Sequence, residues 1–301
     1  MGERLCLLTV HAHPDDEASK GAGTVARYHA EGVHTVLVCC TGGEEGSILN
    51  PAMDRPGVQA RLPELRLEEL ARSVEIIGYD EVVMLGYRDS GMPGAASNQH
   101  PKAFVGTPLE ETVGRLVAEI RRTHPQVVVT YHEDQSGYPH PDHLRVHDIS
   151  VAAFDAAGDA AAYPETGPAW QPLKLYYTVW SRAQMTAIHD RFVELKLESP
   201  FGDAWMDGPD KDSDITTHVD ISEYATVRPR ALLAHATQFR YPRGIVAAAV
   251  LGDPTSPIWF GLKPDVTRVH AHDDYVLARS LVGSADAEDD LFAGIRDRVT
   301  P

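Results

Sequence analysis

The chain has 301 residues, of which 43% are hydrophobic and 24% charged, the balance of a globular protein with a sizeable core. Its formal net charge of −17 disfavours nucleic acid and anionic membranes as partners. No segment approaches the roughly 20 apolar residues of a membrane span, and the apolar run at 5–10 is too short for a secretory signal. The three cysteines, Cys6, Cys39 and Cys40, lie in apolar segments without a CxxC pair. We therefore expect buried thiols in a cytoplasmic protein.

The first half of the chain alternates between strand-like and helix-like segments. Apolar or β-branched runs predict buried strands at residues 5–10, 34–41, 81–85 and 127–131. Helix-length or helically spaced segments between them predict helices at 21–31, 61–77 and 109–122, the second ending at Gly78. This order predicts an α/β, Rossmann-like, mostly parallel sheet with helices on both faces. In such sheets ligands bind beyond the carboxyl ends of the strands.

The pattern is looser after residue 157. We predict strands at 174–179 and, as an edge strand, 216–219, with helices at 182–197 and 223–237. Gly and Pro residues are dense between 240 and 264, which predicts a loop-rich C-terminal cap. No linker separates two domains, so we expect one domain over 1–301. Residues 1–157 would supply the core sheet and metal site, and 158–301 further strands, helices and the cap of a substrate pocket.

Two clusters of histidine and aspartate follow predicted strands. Residues 11–17 come directly after the first strand, and residues 138–143 follow the strand at 127–131 and open a helix with Pro141 in its first turn. Two imidazoles and a carboxylate form the ligand set of a catalytic zinc site with one open position. The same set suits Fe²⁺, so the sequence leaves the metal open between Zn²⁺ and Fe²⁺.

These clusters carry a family resemblance. His13-Pro-Asp-Asp16 followed by His140-Pro-Asp-His143 resembles the PIG-L/LmbE-like N-acetylglucosaminyl deacetylase superfamily. The resemblance implies that His13, Asp16 and His143 ligate the metal and that Asp15 is the general base. It further implies that Tyr138 and His140 bind the oxyanion, while Asp142 orients an imidazole. Asp15 and Asp16 are adjacent in the sequence, which supports these two roles, because Asp16 can bind the metal while Asp15 faces the attacking water. Whether Asp15 or His140 protonates the leaving amine stays open.

Within the superfamily the chain most resembles the mycothiol S-conjugate amidases. Matching segments include Thr41-Gly-Gly-Glu44, Asp89-Ser-Gly91, His235-Ala-Thr-Gln238 and Leu291-Phe-Ala-Gly-Ile295. That resemblance implies cleavage of the amide between a cysteinyl group and glucosaminyl-inositol, releasing an N-acetylcysteine S-conjugate. It also implies substrate-binding roles for Lys20, Arg66 and Asp89. Ser47 departs from the pattern, because relatives usually carry a glutamate there that is implicated in holding the cyclitol.

Several alternatives remain at this point. The chain could be an N-acetylglucosaminyl-inositol deacetylase or act on a thiol conjugate of a natural-product pathway. A non-haem iron oxygenase would use the same ligand set, and a pure binding protein would need none of the catalytic residues. Gly21-x-Gly23-x-x-Ala26 fits a dinucleotide fingerprint, but it stands ten residues beyond the strand and follows three carboxylates. The partner expected is a small-molecule thiol S-conjugate, and a homo-oligomer is left open.

Overall fold

The computed structural model describes residues 4–50, 52–134, 138–194, 196, 199, 210–238, 270–283 and 287–298. These residues contain a seven-stranded sheet in the order β3-β2-β1-β4-β5-β7-β6. The strands are β1 (Cys6–His11), β2 (His34–Thr41), β3 (Glu81–Tyr87), β4 (Val127–Tyr131), β5 (Lys174–Val179), β6 (Thr217–Asp220) and β7 (His272–Ser280). The first five are parallel, and β7 runs antiparallel to both β5 and β6. The predicted mostly parallel α/β sheet is confirmed.

Helices cover both faces of the sheet, as predicted. Those in the described residues are α1 (Asp16–Ser19), α2 (Ala22–Ala30), α3 (Leu62–Ile77), α4 (Leu109–Thr123), α5 (Pro141–Ala157), α6 (Arg182–Glu194) and α7 (Val227–Ala234). Successive side chains of a strand point to opposite faces, so Leu7 packs in the cluster with α1, α2 and α7, while Leu8 packs with α4 and α5. Cys6, Cys39 and Cys40 are buried free thiols.

The strand order reverses between β1 and β4. From β1 the sheet continues through β2 to β3 on one side, and through β4 to β5 on the other. The connections that leave β1 and β4 therefore diverge over opposite faces and open a crevice at the carboxyl ends of these strands. Both histidine-aspartate clusters follow these two strand ends.

The second half departs from prediction in three places. Strand β7 is missing from the predicted elements because it begins His272-Asp273-Asp274, although both aspartates are buried. The helix predicted at 223–237 is shorter, because Pro229 in the first turn of α7 would clash with a helical carbonyl four residues earlier. Helix α6 ends at Glu194, and Lys196 has φ 57°, outside the helical region; residue 197 of the predicted helix lies outside the described residues.

The predicted cap at 240–264 lies outside the described residues. Strands from both halves join one sheet, and the single domain over 1–301 stays a prediction. No helix among the described residues is long and apolar enough to cross a membrane.

Candidate active site

The loop after β1 turns sharply to present two neighbouring aspartates. Asp15 adopts the left-handed region with φ 105°, a conformation that costs a non-glycine residue about 1–3 kcal/mol. Its carbonyl accepts the backbone N–H groups of Ala18 and Ser19, so the strained residue starts α1. The backbone N–H of His13 donates to Asp16 Oδ2 at 3.0 Å. In this turn Asp15 Oδ2 contacts Arg66, whereas Asp16 Oδ2 lies near His13 and His143.

The second cluster is fixed by the start of α5. His140 is the N-cap, and its Nδ1 accepts the backbone N–H of Asp142 at 3.2 Å. Pro141 occupies the first helical position, where a missing N–H costs nothing. A neutral imidazole has one N–H group, and Nδ1 of His140 accepts a hydrogen bond. The ring proton must therefore be on Nε2, which is the nitrogen available as a donor in the crevice.

The crevice brings His13, Asp16 and His143 together. Asp16 Oδ2 lies 3.4 Å from His13 Nδ1 and 3.4 Å from His143 Nε2. Zinc bonds of about 2.0–2.2 Å in tetrahedral geometry place neighbouring ligand atoms about 3.3–3.5 Å apart. These three side chains therefore fit a zinc ion by the spacing of their ligand atoms.

The charge states of Asp16 and His143 suit a cation, whereas the His13 ring must first lose a proton. Burial lowers the pKa of His13, but Asp89, Asp142 and Asp16 raise it to well above 6.5 overall. Burial opposes ionisation of Asp16, but Lys20 and His143 hold the pKa of its carboxyl well below the ordinary value. Burial lowers the pKa of His143 to about 4, so its ring is neutral at pH 7. Lys20 Nζ lies 2.5 Å from Asp16 Oδ1, which leaves Oδ2 directed at the two imidazoles.

The other side of His13 contacts two further aspartates. His13 Nε2 lies 3.2 Å from Asp142 Oδ2 and 3.5 Å from Asp89 Oδ1. His13, Asp89, His140 and Asp142 also form a group with metal-ligand spacing. Backbone N–H groups fix these carboxylates: Ser90 donates to Asp142 Oδ2, and both Asp89 oxygens also accept backbone N–H groups. His13 Nε2 faces Asp142 while its Nδ1 faces Asp16, so we interpret Asp142 as the carboxylate that orients the His13 ring.

Arg66 braces the loop that carries Asp15. Its guanidinium donates to Asp15 Oδ2 at 3.0 Å and to the carbonyl oxygens of Pro14 and Gly43. The Arg66 side chain is buried, so its guanidinium faces this loop and not solvent. Burial, helped by the charge of Asp16, raises the pKa of Asp15, while Arg66 opposes this. The raised pKa suits a proton acceptor.

The remaining predicted residues border the crevice. The Tyr138 ring is half exposed, with its centroid 5.4 Å from that of His143. Lys20 lies over the Tyr131 ring and lines a cleft with Gln184 and Arg228. Substrate binding by Lys20, Arg66 and Asp89 stays a prediction.

Sequence reasoning gave Glu17 no role, although it lies fully buried beneath this loop. Glu17 Oε2 accepts the backbone N–H of Asp15 at 2.8 Å. Glu17 Oε1 lies 2.6 Å from His235 Nε2 and accepts the Ser73 hydroxyl. A glutamate next to the motif was the visible signal, but its partner lies 218 residues away and no local pattern identifies it.

Comparison with known proteins decides the family. The PIG-L model, described as GlcNAc-PI de-N-acetylase, matches residues 8–154. The chain is 41% identical over 307 residues to the mycothiol S-conjugate amidase of Streptomyces coelicolor, with 99% of each chain covered. The chain belongs to the PIG-L family.

Other PIG-L relatives carry a second activity in their names. The 1D-myo-inositol 2-acetamido-2-deoxy-α-D-glucopyranoside deacetylase of Geodermatophilus obscurus is 38% identical over 303 residues, covering 96% of this chain and 97% of that one. The crystal structure of the conserved protein TT1542 from Thermus thermophilus is 25% identical, with a TM-score of 0.57 and coverage of 93% and 97%. The predicted superfamily and the predicted amidase or deacetylase class of hydrolase are confirmed.

The glycines of the dinucleotide fingerprint serve packing in this fold. A Cβ on Gly23 would lie 2.7 Å from the Ile221 side chain, so the glycine permits close approach of α2 to that segment. Gly21 begins α2 only after the loop and α1 have intervened, and does not lie in the turn that leaves β1. The dehydrogenase alternative is therefore rejected.

Proposed function

We propose that this protein is a zinc-dependent amidase that cleaves the cysteinyl-glucosamine amide of mycothiol S-conjugates. The observation that carries the proposal is the convergence of His13, Asp16 and His143 at zinc-ligand spacing. Asp15 precedes Asp16 in the same turn. The similarity to the Streptomyces coelicolor amidase over both chain lengths supports the substrate class. Zn²⁺ is the favoured ion, and Fe²⁺ suits the same ligands.

In this proposal the side chains of the first cluster divide metal binding from proton transfer. A divalent ion at His13, Asp16 and His143 would supply a Lewis acid and activate water for attack. Asp15 accepts the proton of the attacking water, a role that its raised pKa favours. Arg66 and the backbone contact to Glu17 hold Asp15 in its strained conformation.

The negative charge that develops on the amide oxygen must be stabilised by hydrogen-bond donors. His140 offers Nε2–H, because its Nδ1 is occupied by the helix cap, and burial lowers the pKa of the ring to about 4. Tyr138 offers a hydroxyl from the half-exposed rim. Removal of one such donor commonly costs about 3–4 kcal/mol of transition-state stabilisation. The leaving amine takes the proton that Asp15 accepted from water, either from Asp15 directly or through His140.

Three residues are assigned to the substrate. Lys20 contacts Asp16, Asp89 contacts His13, and Arg66 contacts Asp15. Ser47 is exposed, and its backbone carbonyl accepts the Gln238 amide. We propose that recognition of the cyclitol depends on neighbours of Ser47, because the serine lacks the carboxylate of the relatives.

The second candidate is deacetylation of N-acetylglucosaminyl-inositol. It is favoured by the relatives with that name, which match at 35–38% identity over nearly the whole chain. Both reactions hydrolyse an amide on the same amino sugar and would use the same catalytic residues. We propose a cytoplasmic location, with which the three buried free thiols agree.

Metal removal and restoration test the proposal. The protein is stripped with a chelator, reconstituted with Zn²⁺ or Fe²⁺, and assayed for amine release from a mycothiol S-conjugate. We expect activity to vanish with the metal and return with stoichiometric ion. Hydrolysis that is indifferent to chelation, in protein verified to be metal-free, would refute the metal-dependent mechanism.

A further inference from the structure

Three histidines surround a buried carboxylate at the edge of the sheet formed by β6 and β7. Asp274 has a side chain only 1% exposed, whereas those of His218 and His272 are 51% and 38% exposed. Asp274 Oδ1 lies 2.7 Å from Nδ1 of both these histidines. The proposed hydrolysis uses none of the residues in this β6–β7 cluster, defined here as His218, His270, His272 and Asp274.

The backbone fixes the cluster in place. His272 and Asp274 are two residues apart on β7, so their side chains lie on the same face of the sheet. Antiparallel pairing places His218 of β6 directly opposite Asp274. Three ligand-type side chains thus project from two hydrogen-bonded strands.

The second oxygen of Asp274 is held from behind. Asp274 Oδ2 lies 3.0 Å from His270 Nε2, and Ser181 also hydrogen-bonds the carboxylate. Burial alone would raise the pKa of Asp274, but these contacts and His218 hold it well below its ordinary value. One oxygen is therefore fixed by the protein while the other faces two imidazoles that solvent reaches.

Two imidazole nitrogens and a carboxylate oxygen are the ligands that Zn²⁺ and related divalent ions prefer. The ligand atoms of His218, His272 and Asp274 all lie within 4.8 Å of one another. Metal-binding carboxylates are commonly hydrogen-bonded by a further side chain, as His270 does here. We propose that His218, His272 and Asp274 form a second divalent-metal site, separate from His13, Asp16 and His143.

The distances from the two histidine Nδ1 atoms to Asp274 Oδ1 are compatible with a metal site. Distances of 2.7 Å are hydrogen-bond lengths, and a tetrahedral ion needs about 3.3–3.5 Å. The two exposed imidazoles can open this gap by small side-chain rotations, while Asp274 stays fixed. The competing description is a cluster in which two protonated Nδ1 atoms donate to one carboxylate oxygen.

The cluster shares a cleft with Lys20. The start of β7 pairs with the end of β5, at the sheet edge where the candidate active site lies. Asp274 lines a cleft together with Lys20 and Thr178. A bound ion would offset the negative charge of Asp274 at the rim of this cleft.

Zinc stoichiometry of the full-length protein tests the second site. Equilibrium dialysis with Zn²⁺ and elemental analysis would compare wild type, the double variant His218→Gln/His272→Gln, His13→Ala and the exposed-residue control His100→Gln. Glutamine keeps an N–H donor for Asp274 but is a poor zinc ligand, so the hydrogen-bonded cluster survives. We expect two equivalents in wild type and His100→Gln, and one in each of the other variants.

The outcomes separate this site from the proposed function. Equal zinc binding by wild type and the double variant would overturn the second site. A His13→Ala variant with undiminished zinc would count against the catalytic site alone. As a second measurement, His270→Ala should weaken the site lost in the double variant by about 10–100-fold, because it releases the carboxylate ligand; an unchanged affinity would contradict the coordination proposed here.

Discussion

His235 Nε2 lies 2.6 Å from Glu17 Oε1, and both side chains are fully buried. Glu17 also accepts the backbone N–H of Asp15 through its other oxygen. The end of α7 is thereby connected, through a buried acid-imidazole pair, to the residue assigned as general base. Asp15 depends on this support, because its left-handed conformation is unfavourable for a side chain with a Cβ.

We expect Glu17→Gln to lower kcat by up to about 100-fold, since small misplacements of a catalytic group can cost that much. Zinc content should stay at the wild-type value, because Glu17 contacts no atom of the proposed ligand set. Steady-state kinetics with elemental analysis measures both. Glu75→Gln, an exposed change on α3, is the matched control. If zinc were lost in proportion to activity, Glu17 would be holding the metal ligands in place, and not Asp15.

The same pair predicts a pH-dependent stability. The Glu17 carboxylate and hydrogen bonding raise the pKa of His235 above its ordinary 6.5 although burial opposes this, and the pKa of Glu17 is held below 4.5. The Glu17–His235 pair therefore makes its full contribution to the free energy of unfolding between pH 4.5 and pH 6.5, the two ordinary pKa values. It is lost as pH rises through the raised pKa of His235 or falls through the lowered pKa of Glu17.

We expect His235→Ala to lower the free energy of unfolding by about 3–5 kcal/mol near pH 6, the usual cost of breaking a buried ion pair. The loss should be smaller at pH 9, where His235 is increasingly neutral in wild type. Urea denaturation at both pH values, with His100→Ala as control, measures it. A loss that grows with pH would contradict the assigned charges.

Substitutions within the first cluster should separate metal binding from proton transfer. Asp15→Asn should keep zinc but lower kcat by about 10²–10⁴-fold, the usual contribution of a general base. His13→Ala should lose activity together with one equivalent of zinc. Asp155→Asn, an exposed change on α5, serves as control for the amide. Normal turnover by Asp15→Asn would exclude it as the base.

Much of the fold and the core of this site follow from local patterns. Buried apolar runs identified β1, β2 and β4, and the two motifs follow β1 and β4, whose adjacency sets the crevice. Strand β7 was not predicted, because its first three residues are polar and its burial comes from pairing with β5 and β6. The Glu17–His235 contact and the support of Asp15 by Arg66 join residues far apart in sequence, and only the folded chain reveals them.

Lys20 should contribute to recognition of the conjugate. Lys20→Gln removes the ammonium that lies 2.5 Å from Asp16 Oδ1 and borders the cleft. We expect kcat/KM for a mycothiol S-conjugate to fall at least about 10-fold, the equivalent of about 1.4 kcal/mol. Zinc stoichiometry should persist, because His13, Asp16 and His143 remain. Lys102→Gln, at an exposed lysine, is the control; an unchanged kcat/KM would remove Lys20 from substrate recognition.

The assignment as a mycothiol S-conjugate amidase is best tested by the specificity constants, kcat/KM, of the zinc-reconstituted protein for two substrates. Amine release is measured from a mycothiol S-conjugate and from N-acetylglucosaminyl-inositol under identical conditions. We predict a larger kcat/KM for the conjugate. A larger value for the acetylated sugar would contradict the amidase assignment and make the protein a deacetylase.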